Sequence, residues 1–348
     1  MGPPDGAWGP RTLWKEELDV IQVSHLTKRY GSHTAVSDLS FSIEKGQIYG
    51  FLGPNGAGKS TTMNIMTGCL AATSGQVKIG GYDIFEQPRQ AKRLLGYLPE
   101  QPPLYLDRTA WEYLHFVGRA KGIRERDLSD RVEQVMEETQ IAHVGDRLLK
   151  NLSKGYRQRV GIAQAILGDP EVVILDEPTV GLDPKQIIEI RDLIQSLGEA
   201  RTVILSSHIL SEVQQVCQTV LIISKGRLVA CDTPDNLERL FAGSASVEIT
   251  AEACEEQVRQ LLAPISAITQ LEIVGKGEGR CDARLTGAPQ DGDDICRGVF
   301  FAFSRAGLPL LRLNMARASL EDIFLELTGG EEPEAPGPED DGGEEAEG

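Results

Sequence analysis

The stretch that most constrains this chain is Gly53-Pro54-Asn55-Gly56-Ala57-Gly58-Lys59-Ser60-Thr61, which follows directly on the apolar run Ile48-Tyr49-Gly50-Phe51-Leu52. Its spacing is that of G-x-x-x-x-G-K-[ST], and strand, loop and helix signals occur in the order a phosphate-binding loop needs. The glycines let the loop curl so that successive backbone N–H groups point at one anion, a turn that a Cβ would obstruct. Lys59 places an ammonium within reach of the β- and γ-phosphates of a nucleotide, and the Ser60 hydroxyl is positioned to ligate Mg²⁺. The helix that starts near Lys59 and continues through Met63, Ile65 and Met66 aims the positive end of its dipole at the same place.

The 348 residues are enough for two domains, and 41% hydrophobic content is ordinary for a globular protein. No apolar run approaches the roughly 20 residues that span a bilayer, and residues 1–17 lack the apolar core of a secretory signal, so a cytoplasmic location is expected. Cys69, Cys217, Cys231, Cys254, Cys281 and Cys296 are scattered with no C-x-x-C pair, which reads as free thiols. The formal net charge of -17 is carried partly by residues 331–348, which contain no basic residue. That balance argues against sequence-independent nucleic-acid binding, which needs a basic face.

Taken in order, residues 1–20 give no convincing element. Residues 21–26 and 35–43 alternate as strands with a turn at 28–31 between them, and further strands are expected at 75–81 and 95–99. Between residues 108 and 146, Trp111, Leu114, Val117, Val132, Val135, Met136 and Ile141 recur at helical spacing, which predicts a small helical subdomain. A helix over 158–167 precedes Val172-Val173-Ile174-Leu175, a run without polar alternation, as expected of a central parallel strand covered on both faces. That strand ends in Asp176-Glu177. A helix through Ile187, Ile190, Leu193 and Leu197 leads to a second buried strand at 202–207, which ends at His208. Strands at 220–223 and 227–230 and a helix over 233–240 follow.

From residue 21 to about 240 the chain resembles the ATP-binding subunit of an ABC transporter. The resemblance rests on the phosphate loop, on Leu152-Ser153-Lys154-Gly155-Tyr156-Arg157-Gln158 as a variant of the Leu-Ser-Gly-Gly-Gln signature, on Asp176-Glu177 and on His208. It implies an α/β P-loop ABC ATPase fold, with a parallel-sheet core, an antiparallel β-subdomain and a helical subdomain. It also implies that Tyr30 stacks on adenine, that Asp176 joins Ser60 in supporting magnesium, that Glu177 polarises the attacking water and that His208 contacts the γ-phosphate. By the same resemblance Ser153 and Gly155 meet the ATP of an opposite subunit, Asp183 in Gly181-Leu182-Asp183 lies in the loop through which subunits sense each other, and Glu100 stands where the family's usual form has glutamine. A glutamate can approach a hard cation but cannot donate a hydrogen bond as an amide does. The cofactors implied are ATP and Mg²⁺; the partners are a second ATPase subunit and a separately encoded transmembrane permease docking near residues 100–113, with the chain peripheral at the inner face of the plasma membrane.

Beyond residue 244 the order of strand and helix signals is βαββαβ, the ferredoxin-like signature, with no catalytic constellation. Residues 318–328 resemble the ending of export ATPases of the sodium, antibiotic, gliding-motility and copper-processing group, and the acidic tail has almost nothing to bury. The expected organisation is an extension at 1–20, the ATPase at 21–243, an accessory domain at 244–329 and a tail at 330–348. The function expected is ATP hydrolysis coupled to export; a soluble ABC ATPase acting on ribosomes or DNA is the alternative.

Overall fold

The structure is a computed structural model that describes residues 19–241, 245–277, 279–288, 291–316 and 324. The chain divides into two compact units, one through Cys231 and one from Asp232. The expectations for residues 1–18, for the boundary at 243/244, for the tail and, Phe324 excepted, for 318–328 lie outside the described residues.

In the first unit, an antiparallel sheet is built from β1 (Asp19–Tyr30), β2 (His33–Glu44), β4 (Ser74–Ile79) and β5 (Tyr82–Asp83), in the order β2-β1-β4-β5. β1 stays extended through Tyr30, where the sequence suggested a turn from Lys28; the reversal is confined to Gly31-Ser32 because Lys28 and Arg29 still pair with Val36 and Thr34. The second sheet has the order β10-β9-β3-β8-β7-β6, comprising β3 (Ile48–Leu52), β6 (Leu95–Leu98), β7 (Val172–Asp176), β8 (Thr202–Ser207), β9 (Thr219–Ser224) and β10 (Arg227–Asp232). Its pairs β9-β3, β3-β8, β8-β7 and β7-β6 are parallel. Every residue of β3, β7 and β8 is buried, which is why their sequences carry no polar alternation. A tight turn at Lys225-Gly226, both with positive φ, joins β9 to β10.

Helices α1 (Lys59–Met66), α2 (Pro88–Arg93), α6 (Pro184–Gly198) and α7 (Leu210–Val216) accompany the sheets. The helical subdomain consists of α3 (Ala110–Ala120), α4 (Glu125–Glu138) and the start of α5 (Lys154–Ile166). Thr109 and Glu112 form a reciprocal capping box that fixes where α3 begins, and its buried stripe is Tyr113, Leu114 and Val117. Neither α2 nor α7 was anticipated: α2 buries Ala91 alone, and α7 is seven residues long with a buried Glu212 in its apolar stripe.

The second unit begins with α8 (Pro234–Phe241) and then runs β11 (Ala245–Ala251), α9 (Glu255–Leu262), β12 (Gln270–Gly277), β13 (Arg280–Gly287), α10 (Gly292–Ala306) and β14 (Leu310–Ala316). Its antiparallel sheet has the order β12-β13-β11-β14, so the ferredoxin-like arrangement expected from the sequence is present. Val258 and Leu262 of α9, with Ile295, Val299 and Phe303 of α10, bury one face of the sheet. The other face is polar, with Arg284 paired to Glu248 at 2.8 Å and Arg280 to Glu252 at 3.0 Å. Because Phe303 is fully buried, Phe303→Ala is expected to lower the stability of this unit by about 3–5 kcal/mol. Denaturant unfolding followed by tryptophan-independent far-UV circular dichroism would measure it, and ATP binding by the first unit should persist.

Candidate functional site

Parallel pairing brings three strand ends to one edge of the sheet. Leu52, the last residue of β3, pairs with Ser207, and Ser206 pairs with Asp176. The phosphate loop, Asp176-Glu177 and His208 therefore emerge side by side, at the carboxyl edge where α/β sheets place ligands. The loop is pinned from the antiparallel sheet as well. Gly226 donates to the Ala57 carbonyl at 3.0 Å and accepts from Ser37 at 2.8 Å. Gly58, with φ of 102°, caps α1 in the left-handed region, and a Cβ there would stand 2.6 Å from the Ala35 carbonyl oxygen.

These elements enclose an open cavity of about 470 Å³. Its wall includes Tyr30, Pro54, Asn55, Gly56, Gly58, Lys59, Ser60, Thr61, Glu100, Glu177 and His208, all singled out from the sequence, together with His33, Ala35 and Val180, which were not. Gly53 and Ala57 are buried just beneath: the Gly53 carbonyl accepts from Lys59 Nζ at 2.7 Å, and the Ala57 N–H donates to Pro54 at 3.1 Å. Tyr30 stands half-exposed at the rim, with Lys28 Nζ 5.1 Å from its ring centroid. Ser153, Gly155 and Asp183 do not line the cavity. They lie at the N-termini of α5 and α6, where Ser153 and Asp183 are the N-caps.

The floor of the cavity is a buried cluster of charges. Lys59 is buried, with its ammonium 3.9 Å from Glu177 Oε1. Burial holds its pKa below the usual lysine value, while Glu177, Asp176 and Glu100 pull it back up. Asp176 is pushed the opposite way by the same cause: desolvation raises its pKa, against hydrogen bonds from Ser206 and Ser60. Ser206 ties the two carboxylate residues together, because its hydroxyl donates to Asp176 Oδ1 at 2.5 Å and accepts from the Glu177 backbone N–H at 2.9 Å. Glu177 takes φ of 47°, a strained conformation for a residue with a Cβ, and its Oε2 lies 2.9 Å from His208 Nδ1. Behind it, buried Glu212 accepts from Thr179 at 2.7 Å and from Ser207 at 3.3 Å. Ser206 was missed in the sequence, although two serines closing an otherwise apolar buried strand are a signal that its end meets polar groups.

The two carboxylates, the Ser60 hydroxyl and the lysine that the sequence resemblance singled out lie together at this edge of the sheet. Residues 36–180 match the ABC transporter family. The chain is 36% identical to the bacitracin transport ATP-binding protein BcrA of Bacillus licheniformis over 89% of this chain and 98% of that protein. This chain belongs to the ABC transporter family. It is likewise 31% identical to the linearmycin resistance ATP-binding protein LnrL of Bacillus subtilis (strain 168), over 89% of this chain and 98% of the relative. A solved structure of the ATP-binding subunit of an ABC transporter is similar at a TM-score of 0.58 and 30% identity, over 64% of this chain and 93% of that one. The chain is therefore an ATP-binding, ATP-hydrolysing ABC subunit. Among the described residues no helix is long and apolar enough to cross a membrane.

The hydrogen bond to Glu177 raises the pKa of His208 above the ordinary histidine value, against the opposing effect of burial. Since the folded pKa is the higher one, this pair stabilises the fold fully below the unfolded histidine pKa, and the contribution is lost as pH rises through the folded pKa. In Glu177→Gln the largest upward cause is removed, while the smaller pull of Glu212 remains. An NMR titration of His208 is expected to show a lower pKa in that variant, and the melting temperature of the wild type should lose more between pH 6 and pH 8 than that of the variant.

Proposed function

We propose that two copies of this chain close around two molecules of Mg²⁺-ATP and so drive a separately encoded permease in the direction of export. One observation carries this reading: Ser153, Gly155 and Asp183 stand apart from the cavity, at the N-termini of two adjacent helices. Helix N-termini present free N–H groups and positive dipole ends, which suit a phosphate. A second copy can thus supply to the nucleotide what this chain does not bring to its own cavity.

Within one copy, Lys59 and the amides of the loop hold and orient the phosphates. Ser60 and Asp176 are hard oxygen donors, few in number, as suits Mg²⁺ completed by phosphate oxygens and water. Bound there, the ion would neutralise charge on the phosphates. Glu177, oriented by His208 and by its backbone bond to Ser206, takes the proton of the attacking water. Glu100 reaches the cavity from the end of β6 and Tyr30 from the end of β1, the latter as a platform for the base.

The permease docks on the helical subdomain. Tyr105 and Phe116 are each 51% exposed, and the Tyr105 ring lies 5.3 Å from that of Phe116 and 5.8 Å from that of Tyr113, an apolar patch a few residues beyond Glu100. The transport and resistance names of the relatives support the export direction.

Lys59→Ala is expected to abolish ATP binding. Glu177→Gln should bind ATP but lower kcat by about 10²–10⁴-fold, and with Mg²⁺-ATP it should sediment as a dimer. Used as bait against detergent-solubilised native membranes, Glu177→Gln should recover a polytopic membrane protein, and Tyr105→Ser with Phe116→Ser should lose it. Recovery of ribosomes or DNA-associated proteins without a membrane partner would overturn the transport reading and leave the hydrolytic chemistry intact.

A further inference from the structure

Helices α5 and α6 meet along a series of contacts that starts at the residues left outside the cavity. The Lys154 ammonium fills the space that a Cβ on Gly181 would need. At Gly155 the Gln186 side chain lies on the bare backbone: a Cβ there would stand 2.6 Å from Gln186 Oε1 and would displace it. Gln186 is itself the residue whose backbone N–H donates to the Asp183 side chain, at 2.9 Å. One helical turn further along each helix, the Arg159 guanidinium donates to Glu189 Oε2 at 2.9 Å.

Arg159 is the buried cation of this series, with a side chain 6% exposed against 43% for Glu189. Its second nitrogen donates to the Thr139 carbonyl and to Gln140 Oε1, both at 3.1 Å, where α4 ends and Gln140 turns with φ of 59°. One planar fork therefore joins three helices: α5, which carries Ser153 and Gly155; α6, which carries Asp183; and the C-terminal end of α4, whose dipole favours a cation. Burying a charge is a poor way to gain stability compared with an apolar side chain of the same volume. What the fork supplies is direction, since each N–H must meet its acceptor at a fixed angle.

We propose that Arg159 is a positioning residue that locks α5 to α6, so that Ser153, Gly155 and Asp183 are presented as one preassembled face to the nucleotide bound by the second copy. This rests on the two-copy reading above. Closure of the dimer then moves the three residues together as a single body. A lysine at 159 keeps the charge but cannot meet α4 and Glu189 with a planar fork.

The test uses the full chain and compares Arg159→Lys and Glu189→Gln with the wild type. ATP affinity of the single copy should stay within about twofold, because neither residue touches the cavity, while kcat falls at least about tenfold, as misplacement of a contacting group does. The dependence of rate on ATP concentration should lose its cooperativity. In the Glu177→Gln background either substitution should weaken the ATP-induced dimer in sedimentation. Glu189→Gln, on a half-exposed position, keeps the shape of the pair and guards against a folding defect, which melting curves would reveal. The proposal is overturned if both variants turn over at the wild-type rate, if affinity and kcat fall together, or if Arg159→Lys is impaired while Glu189→Gln is not, since the fork then serves α4 alone. If Glu177→Gln itself forms no dimer with Mg²⁺-ATP, it is the two-copy reading that fails.

Discussion

The site depends on the register of three parallel strands. Pairing of Leu52 with Ser207 and of Ser206 with Asp176 sets the start of the phosphate loop, the carboxylate pair and the histidine at one sheet edge within a single ladder step. Because side chains alternate across a strand, a one-residue slip of β8 would turn Ser206 to the opposite face and break its bonds to both Asp176 and Glu177. The apolar residues of β3, β7 and β8 are buried on both faces, so hydrophobic patterning alone fixes their register weakly. The polar residues at their ends add the missing specification, and the same groups form the floor of the cavity.

Those groups are held in a place that disfavours each of them alone. Burial works against the charge on Lys59, offset chiefly by Glu177 and then by Asp176, and against the charge on Asp176, offset chiefly by the hydrogen bond from Ser206 and further by Lys59. Removing Glu177 leaves a buried ammonium without its nearest carboxylate, which costs more than the pair itself contributes. Glu177 adds backbone strain of about 1–3 kcal/mol, offset by its N–H bond to Ser206 and by its contacts with Lys59 and His208. A site so arranged gains from any ligand that brings phosphate to the lysine and a cation to the carboxylates, and the lining loop has backbone room for such a ligand.

Much of this was legible in the sequence because the informative residues sit at the ends of long apolar runs. A buried strand followed by Gly-x-x-x-x-Gly-Lys-Ser, by Asp-Glu or by Ser-Ser-His declares both its fold and its edge. The βαββαβ order of the second unit was equally plain from its alternation. What escaped notice was local structure without an apolar period, as in α2 and α7, and wall residues delivered by tertiary approach. His33 and Ala35 reach the cavity only because β2 folds over the loop, and Val180 because the chain turns back after strained Glu177. Nor could the sequence show that Gln186 lies against Gly155, a contact between helices that begin some thirty residues apart along the chain.

The orientation of α5 shows the same economy at longer range. Its C-terminal carbonyls are all met by cations from the helical subdomain: Lys121 Nζ donates to Gln164 at 2.7 Å and to Ala165 at 3.0 Å, and Arg131 donates to Ile166 at 2.9 Å and to Leu167 at 3.1 Å. Arg131 and Arg201 share Asp169, and Arg201 reaches back to Glu138 of α4 at 2.6 Å. The negative end of the helix is thereby neutralised. At the positive end, the capping bond from the Tyr156 N–H to Ser153 is long, at 3.4 Å, and the first turn of the helix contains no acidic side chain. A helix with its negative pole screened and its positive pole open exerts a net attraction on an anion placed at its start. Through Lys121 and Arg131 the helical subdomain thus screens the far end of α5 and leaves the N-terminal pole free to attract an anion.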